Sequence, residues 1–427
     1  MPRKEGLLGG PHPESLTQKS DLDDIKNLEE QLHQIRSAVV SGSNVNLLTL
    51  ASLQLVHSFN LDTELSAYCL KLESPVSIDH VLVQCDCPID LLDQDDGTAI
   101  RSDTQLNFED RNVVLTTFRC QANTTHLTLY MRTVEGQFGV LRVYVAPRSD
   151  GPIACKQLEF PIRPLSLHRR THTFPEDCER PLNRLTLSGR FSLAEMHQWV
   201  QVCLPETPDK PPIVTEEATG IKETMETGDE EHVRLIYEST FIGSKLECCY
   251  KKQQATFRSD NISTIAILKD VLTKEATKRK IILSLDIDIH PDSVEYTLRT
   301  IHPKLESLII LVRKVGLITP LQELVSSQSH NFSSSGARMK GSTTRNDNPL
   351  PGSLPADYAA IWREASSLQA LYKQHPCTLE RLYGCIVDLY IDKYRFQGDD
   401  VRARVPGLLE VLKHYDFHRI LQYFNEH

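Results

Sequence analysis

Residues 260–315 read DNISTIAILKDVLTKEATKRKIILSLDIDIHPDSVEYTLRTIHPKLESLIILVRKV, and the spacing of their apolar residues changes twice. Ile262, Ile265, Leu268 and Leu272 fall on one face of a helix, and Lys274, Lys278, Arg279 and Lys280 gather at its C-terminal end, where cations meet the negative end of the helix dipole. The period then drops to two: Ile281, Leu283, Leu285, Ile287 and Ile289 point one way, Ser284, Asp286, Asp288 and His290 the other, as in a strand with one buried and one wet face. Leu268 and Leu285 are expected to face each other across a helix-on-sheet layer. After Pro291 and Asp292, Val294, Leu298, Ile301, Leu305, Leu308, Val312 and Val315 restore helical spacing, with a break or kink expected near His302 because Pro303 follows. Helices covering a half-wet sheet indicate an α+β layer.

Upstream, residues 1–20 are rich in Pro and Gly and read as disordered. In 21–41, Ile25, Leu28, Leu32, Ile35 and Val39 form an a/d seam about two heptads long, too short to be stable alone, so it calls for a partner helix or for its own domain beneath it. Residues 46–148 alternate repeatedly, as at Leu127, Leu129 and Met131 or Leu141, Val143 and Val145, with turns at Asp95-Asp96-Gly97 and Glu135-Gly136; short strands so spaced indicate an immunoglobulin-like β-sandwich. Residues 149–318 mix strands and helices as an α/β platform. Within it, Ser192-Leu-Ala-Glu195 is a capping box, His232–Ile242 and Lys245–Tyr250 form a hairpin about Gly243-Ser244, and the acidic stretch 206–231 is a mobile loop. Residues 326–356 have linker composition, and 357–427 form a C-terminal helical domain. The expected architecture is multidomain α+β.

The 427 residues carry a net charge of −10, which argues against nucleic acid as the main partner. Eleven cysteines without a CxxC spacing indicate reduced, cytosolic thiols. The N-terminus lacks a signal-peptide core, and no apolar run is long enough to cross a membrane; the Asn-x-Ser/Thr triplets at Asn123, Asn261 and Asn331 are therefore not expected to carry glycans.

Catalytic chemistry finds little support. Gly336-Ala-Arg-Met-Lys-Gly341-Ser-Thr343 imitates a phosphate loop but has Ser342 where the lysine belongs. Asp286 and Asp288 read as solvated, His168, His172 and Cys178 as an incomplete metal set, and Cys85, Cys87, Cys248 and Cys249 as small apolar fillers. Neither cofactor nor metal is expected. Arg163, Arg169, Arg170, Arg180, Arg184 and Arg190 fall within 28 residues, partly offset by Glu176, Asp177 and Glu179. They read as a solvated face or, through Arg163, Arg169 and Arg170, as a contact to an anionic surface.

Several blocks carry a family resemblance: PIDLLD (88–93), FRCQANTTHL (118–127), RPLSLHRRTH (163–172), RPLNRLTLSGRFSLAE (180–195), DNISTIAILKDVLTKEATKRK (260–280), IHPKLE (301–306) and LERLYG (379–384). Together they resemble the Bardet–Biedl syndrome 7 family of BBSome subunits, from about residue 20 to the end. The resemblance implies a non-catalytic part in a coat-like adaptor that carries membrane proteins to and from cilia with intraflagellar transport. It also implies an ear-like sandwich akin to that of γ-adaptin, a platform, and a coiled coil with the Bardet–Biedl syndrome 2 protein. Localisation follows: cytoplasm, cilium, basal body and the ciliary membrane periphery. The family's N-terminal β-propeller has no counterpart in these residues, as expected of a truncated product, a partial gene model or a short isoform. The coiled coil looks shorter than the family's, and 206–231 and 326–356 look longer. The alternative function is a free-standing cargo- or membrane-binding module; co-purification from ciliated cells separates the two.

Overall fold

The computed structural model describes residues 53–92, 97–104, 113–121, 123–148, 155–174, 180–214, 231–332, 355–374 and 377–426. The seam at Ile25, Leu28, Leu32, Ile35 and Val39, the N-terminal stretch and residues 215–230 and 333–354 lie outside them.

Nine strands build the first unit: β1 (Val56–Asp62), β2 (Ala67–Glu73), β3 (Ile78–Cys85), β4 (Ile89–Leu92), β5 (Ala99–Asp103), β6 (Val114–Cys120), β7 (His126–Thr133), β8 (Gly139–Pro147) and β9 (Lys156–Ile162). They form two antiparallel sheets, ordered β1-β2-β7-β4 and β5-β6-β3-β8-β9. The inward residues of each alternation (Leu70, Leu72, Val81, Val83, Met131, Leu141, Val143, Val145) are fully buried in one shared core, the arrangement of a β-sandwich. The sandwich does not stop at 148: β9 pairs with β8 and buries Leu158 and Ile162 in the same core. Pro161 is tolerated there because β9 is an edge strand.

The second sheet unit holds β10 (His168–Thr171), β11 (Asn183–Gly189), β12 (Ile213–Val214), β13 (His232–Ser239), β14 (Lys245–Lys251), β15 (Gln254–Ser259) and β16 (Leu283–Asp288), with helices α1 (Leu193–Cys203) and α2 (Ile262–Lys278) on one face. Strand order is β10-β13-β14-β15-β11-β16, with β12 beside β13. The capping box forms: Ser192 Oγ accepts the Glu195 N–H at 3.2 Å, and Glu195 Oε2 accepts the Ser192 N–H at 2.8 Å. Met196, Trp199, Val200 and Cys203 of α1 and Ile265, Leu268 and Leu272 of α2 are wholly buried against the sheet.

Four expectations are corrected here. Leu285 is 39% exposed rather than buried against Leu268. The strand's faces are as expected, with Leu283 and Ile287 packed on the core, but β16 is the edge strand and α2 lies across β11 and β15 instead. Residues 206–214 are docked rather than loose. The Thr207 hydroxyl bonds the Tyr237 hydroxyl at 2.8 Å, and the Pro208 carbonyl accepts from Gln201 at 2.8 Å. The first hairpin strand ends at Ser239, which leaves Phe241 and Ile242 in the loop. Finally, of the break or kink expected near His302, the break does not occur: the helix runs through Pro303.

That last point concerns α3 (Ser293–Phe332), one helix that passes through Pro303 and Pro320 and reaches beyond 326, where linker composition begins. It survives because tertiary packing overrides the two lost hydrogen bonds: Val294, Leu298, Ile301, Leu305 and Leu308 share a core with the C-terminal helices. These are α4 (Ala356–Arg363), α5 (Ala365–Gln374), α6 (Thr378–Gln397), α7 (Val405–His414) and α8 (Phe417–Asn425).

Candidate functional site

The sandwich, the platform and the helical unit meet at one junction, and a cleft of about 650 Å³ opens there. Its walls are the β7–β8 turn at Val134–Phe138, one face of α2 and one face of α6.

The junction is organised by Arg132, near the end of β7 and 2% exposed. A buried guanidinium is tolerable only when its donors are satisfied. Nε and Nη2 donate to the carbonyls of Ser66 (3.2 Å) and Leu65 (2.8 Å) in the sandwich, while Nη1 reaches the Thr378 hydroxyl at the start of α6 (3.0 Å). Burial holds its pKa below the usual arginine value. The guanidinium lies 5.5 Å from the centre of the Phe241 ring, and Lys304 of α3 lies 4.4 Å from that centre and donates to the Phe241 carbonyl at 2.7 Å. Burial, helped by the nearby Arg132 charge, pushes the Lys304 amine down to about 8.

Four further contacts close the junction. Asp90 of β4 takes a two-pronged bond from Arg381 of α6, one prong at 2.7 Å, and this bond raises the Arg381 pKa. The Tyr68 hydroxyl donates to the Ser166 carbonyl at 2.7 Å. Thr133 and Ser166 share a hydroxyl bond at 2.6 Å, and His168 Nδ1 meets Glu135 at 2.7 Å. The cleft itself is charged: Asp270 is paired with Arg395 at 2.9 Å, and Lys274 lies 4.8 Å over the Phe138 ring. Desolvation lifts the Asp392 carboxyl to about 6 and the Cys385 thiol to about 12, so at neutral pH Cys385 stays a protonated thiol and a poor nucleophile. The arrangement is suited to holding three units in fixed register.

The arginines of 163–190 do not converge. Arg163 is half-buried beside the Tyr68 hydroxyl, where its charge opposes the upward shift that burial gives that phenol. Arg169 is exposed and paired with Glu238 at 3.1 Å; the backbone of its neighbour Arg170 donates to Glu206 at 2.8 Å. Arg180 is tied to Asp260 at 3.2 Å, and Arg184 lies on β11, on the far side of the sheet from β10. Cys85 and Cys87 are buried with sulfurs 3.5 Å apart, and Asp86 brings a carboxylate close enough to complete a trio able to hold a metal. That carboxylate is already engaged by the Val140 N–H at 2.5 Å, and any side chain at Gly139 would collide with it. The trio thus serves the packing of β3 on β8.

Arg132, Lys304 and the Asp90–Arg381 pair were invisible to sequence reasoning. Only alternation spoke to Arg132, and it placed the residue with Thr128 and Tyr130, away from the sandwich core.

Three family models match the chain in series: a BBS7 GAE domain over residues 51–160, a BBS7 platform domain over 168–288 and a BBS7 hairpin over 344–424. The mouse protein named BBSome complex member BBS7 is 45% identical over 378 residues, covering 88% of this chain and 47% of that protein. The Caenorhabditis elegans protein named BBSome complex member bbs-7 is 31% identical over 306 residues, 71% of this chain and 40% of its own length. The chain spans less than half the length of these curated relatives.

Proposed function

Because the chain belongs to the BBS7 family and carries its GAE, platform and hairpin segments, we propose that it is a non-catalytic structural subunit of the BBSome. The observation that supports this most directly is the junction. Arg132 ties the GAE segment to the hairpin segment through Thr378, and Asp90 does so through Arg381. Such cross-bracing presents one composite surface to neighbouring subunits.

In this reading the complex is a coat-like adaptor for membrane-protein cargo moving to and from cilia with intraflagellar transport, and it supports cilium assembly and maintenance. The chain resides in the cytoplasm, at the basal body and along the ciliary membrane. The sandwich serves as an ear-like appendage. The seam at Ile25, Leu28, Leu32, Ile35 and Val39 pairs with the Bardet–Biedl syndrome 2 protein, and Arg163, Arg169 and Arg170 face anionic headgroups. Affinity purification of the tagged chain from ciliated cells tests the reading. Other BBSome subunits co-purify if it is right, and Leu28→Asp with Leu32→Asp removes the coiled-coil partner while the downstream units stay folded. Recovery of the chain alone overturns it.

A further inference from the structure

The β16 edge of the platform is built unlike the opposite edge of the same sheet. On the β10 side the boundary is split between two short strands: β10 has four residues and β12 two. Short, interrupted edges offer little for another strand to copy. β16 has six residues in unbroken antiparallel register with β11, from Gly189↔Leu283 to Arg184↔Asp288. It contains no proline, bulge or lysine, so it keeps a continuous outer row of backbone donors and acceptors.

The side chains make this edge selective. Pairing aligns Val233, Tyr250, Ala255, Leu187 and Leu285 in one row across the helix-covered face. The first four are at most 2% exposed, yet Leu285 is 39% exposed. The core thins at its last residue, since α2 lies chiefly over β11 and β15. Ile282, just before the strand, is 90% exposed. On the other face Asp286 and Asp288 are both exposed, and neither forms an ion pair with a described residue.

We propose that the β16 edge is a strand-addition site for an extended segment of a partner protein in which apolar residues alternate with lysine or arginine. Backbone pairing supplies the attachment. The apolar residues of the incoming strand continue the row beyond Leu285, and its cations lie opposite Asp286 and Asp288. The same carboxylates reject a second copy of this chain, because antiparallel pairing of two β16 strands sets acid against acid on one face.

The test uses the full chain and two seven-residue probes, one alternating lysine with valine and the other glutamate with valine. Fluorescence anisotropy reads affinity, and hydrogen exchange reads location. The lysine probe is expected to bind about tenfold tighter than the glutamate probe and to slow exchange of alternate amides within 283–288. Asp286→Lys combined with Asp288→Lys, both at exposed positions, reverses the preference. A lysine probe N-methylated along its pairing edge loses binding. Protection elsewhere or nowhere, an unchanged preference in the double variant, or equal binding of the N-methylated probe overturns the proposal. So does protection of β16 in the unliganded chain at concentrations where the chain dimerises.

Discussion

Arg132 is a cation held away from water by acceptors from two separate units, and its removal tests the junction at its smallest part. Arg132→Met leaves two backbone carbonyls and the Thr378 hydroxyl without that donor. At about 1–3 kcal/mol for each buried group left unsatisfied, urea denaturation of the full chain should register a loss of about 3 kcal/mol or more. Thr378→Val removes one contact and should cost about 1 kcal/mol. Lys304 adds a pH signature. Its amine titrates near 8 in the folded chain against an ordinary value of 10.5. Unfolding therefore takes up a proton between those values, and this group's contribution to stability rises as pH increases from about 8 to 10.5. Denaturation at pH 7.5 and 10 should show Lys304→Met losing that gain; an identical pH dependence in the variant refutes the assignment. Neither residue could be found from local pattern. Alternation along β7 puts Arg132 outside the sandwich core, but its guanidinium is enclosed by Ser66, Leu65, Phe241 and Thr378, the last 246 residues away in sequence.

At the scale of elements, the regular periods were legible and the layer edges were not. Helical spacing placed Ile262, Ile265, Leu268 and Leu272 of α2 in the core, and the capping box located the start of α1. The strand period of 281–289 gave the right faces, yet it carries no information on how far the covering helix extends. The contrast is measurable. Leu268→Ala, at a wholly buried site, should cost about 2–5 kcal/mol, whereas Leu285→Ala should stay within about 0.5–1 kcal/mol. Comparable losses at the two sites would mean that β16 is covered after all. Ser192→Ala should cost about 1 kcal/mol by freeing the Glu195 N–H, with Ser192→Asp restoring most of it. Two boundaries were misplaced: the sandwich runs past 148 through β9, which pairs with β8, and α3 runs past 326, where linker composition begins.

For the whole molecule, the Asp90–Arg381 pair reports on whether the units act together. A double-mutant cycle of Asp90→Ala and Arg381→Ala should show coupling of about 1 kcal/mol or more, since the pair is two-pronged and only partly exposed. Additive losses would mean that the helical unit sits on the sandwich without the pair's help. The three units themselves were legible because each has its own hydrophobic period; their mutual docking was not, because it depends on single polar residues far apart in sequence. The longest element carries a mechanical consequence. At about 1.5 Å per residue, the 40 residues of α3 make a rod about 60 Å long, anchored at its platform end by the Thr297 hydroxyl on the Asp260 carbonyl and by Lys304 on Phe241. The rod is not free along its length: Ile318 and Leu321, on either side of Pro320, are buried, and α4 and α5 pack along it. A load on the hairpin therefore reaches the platform by two parallel routes, along α3 and directly through α6 on α2.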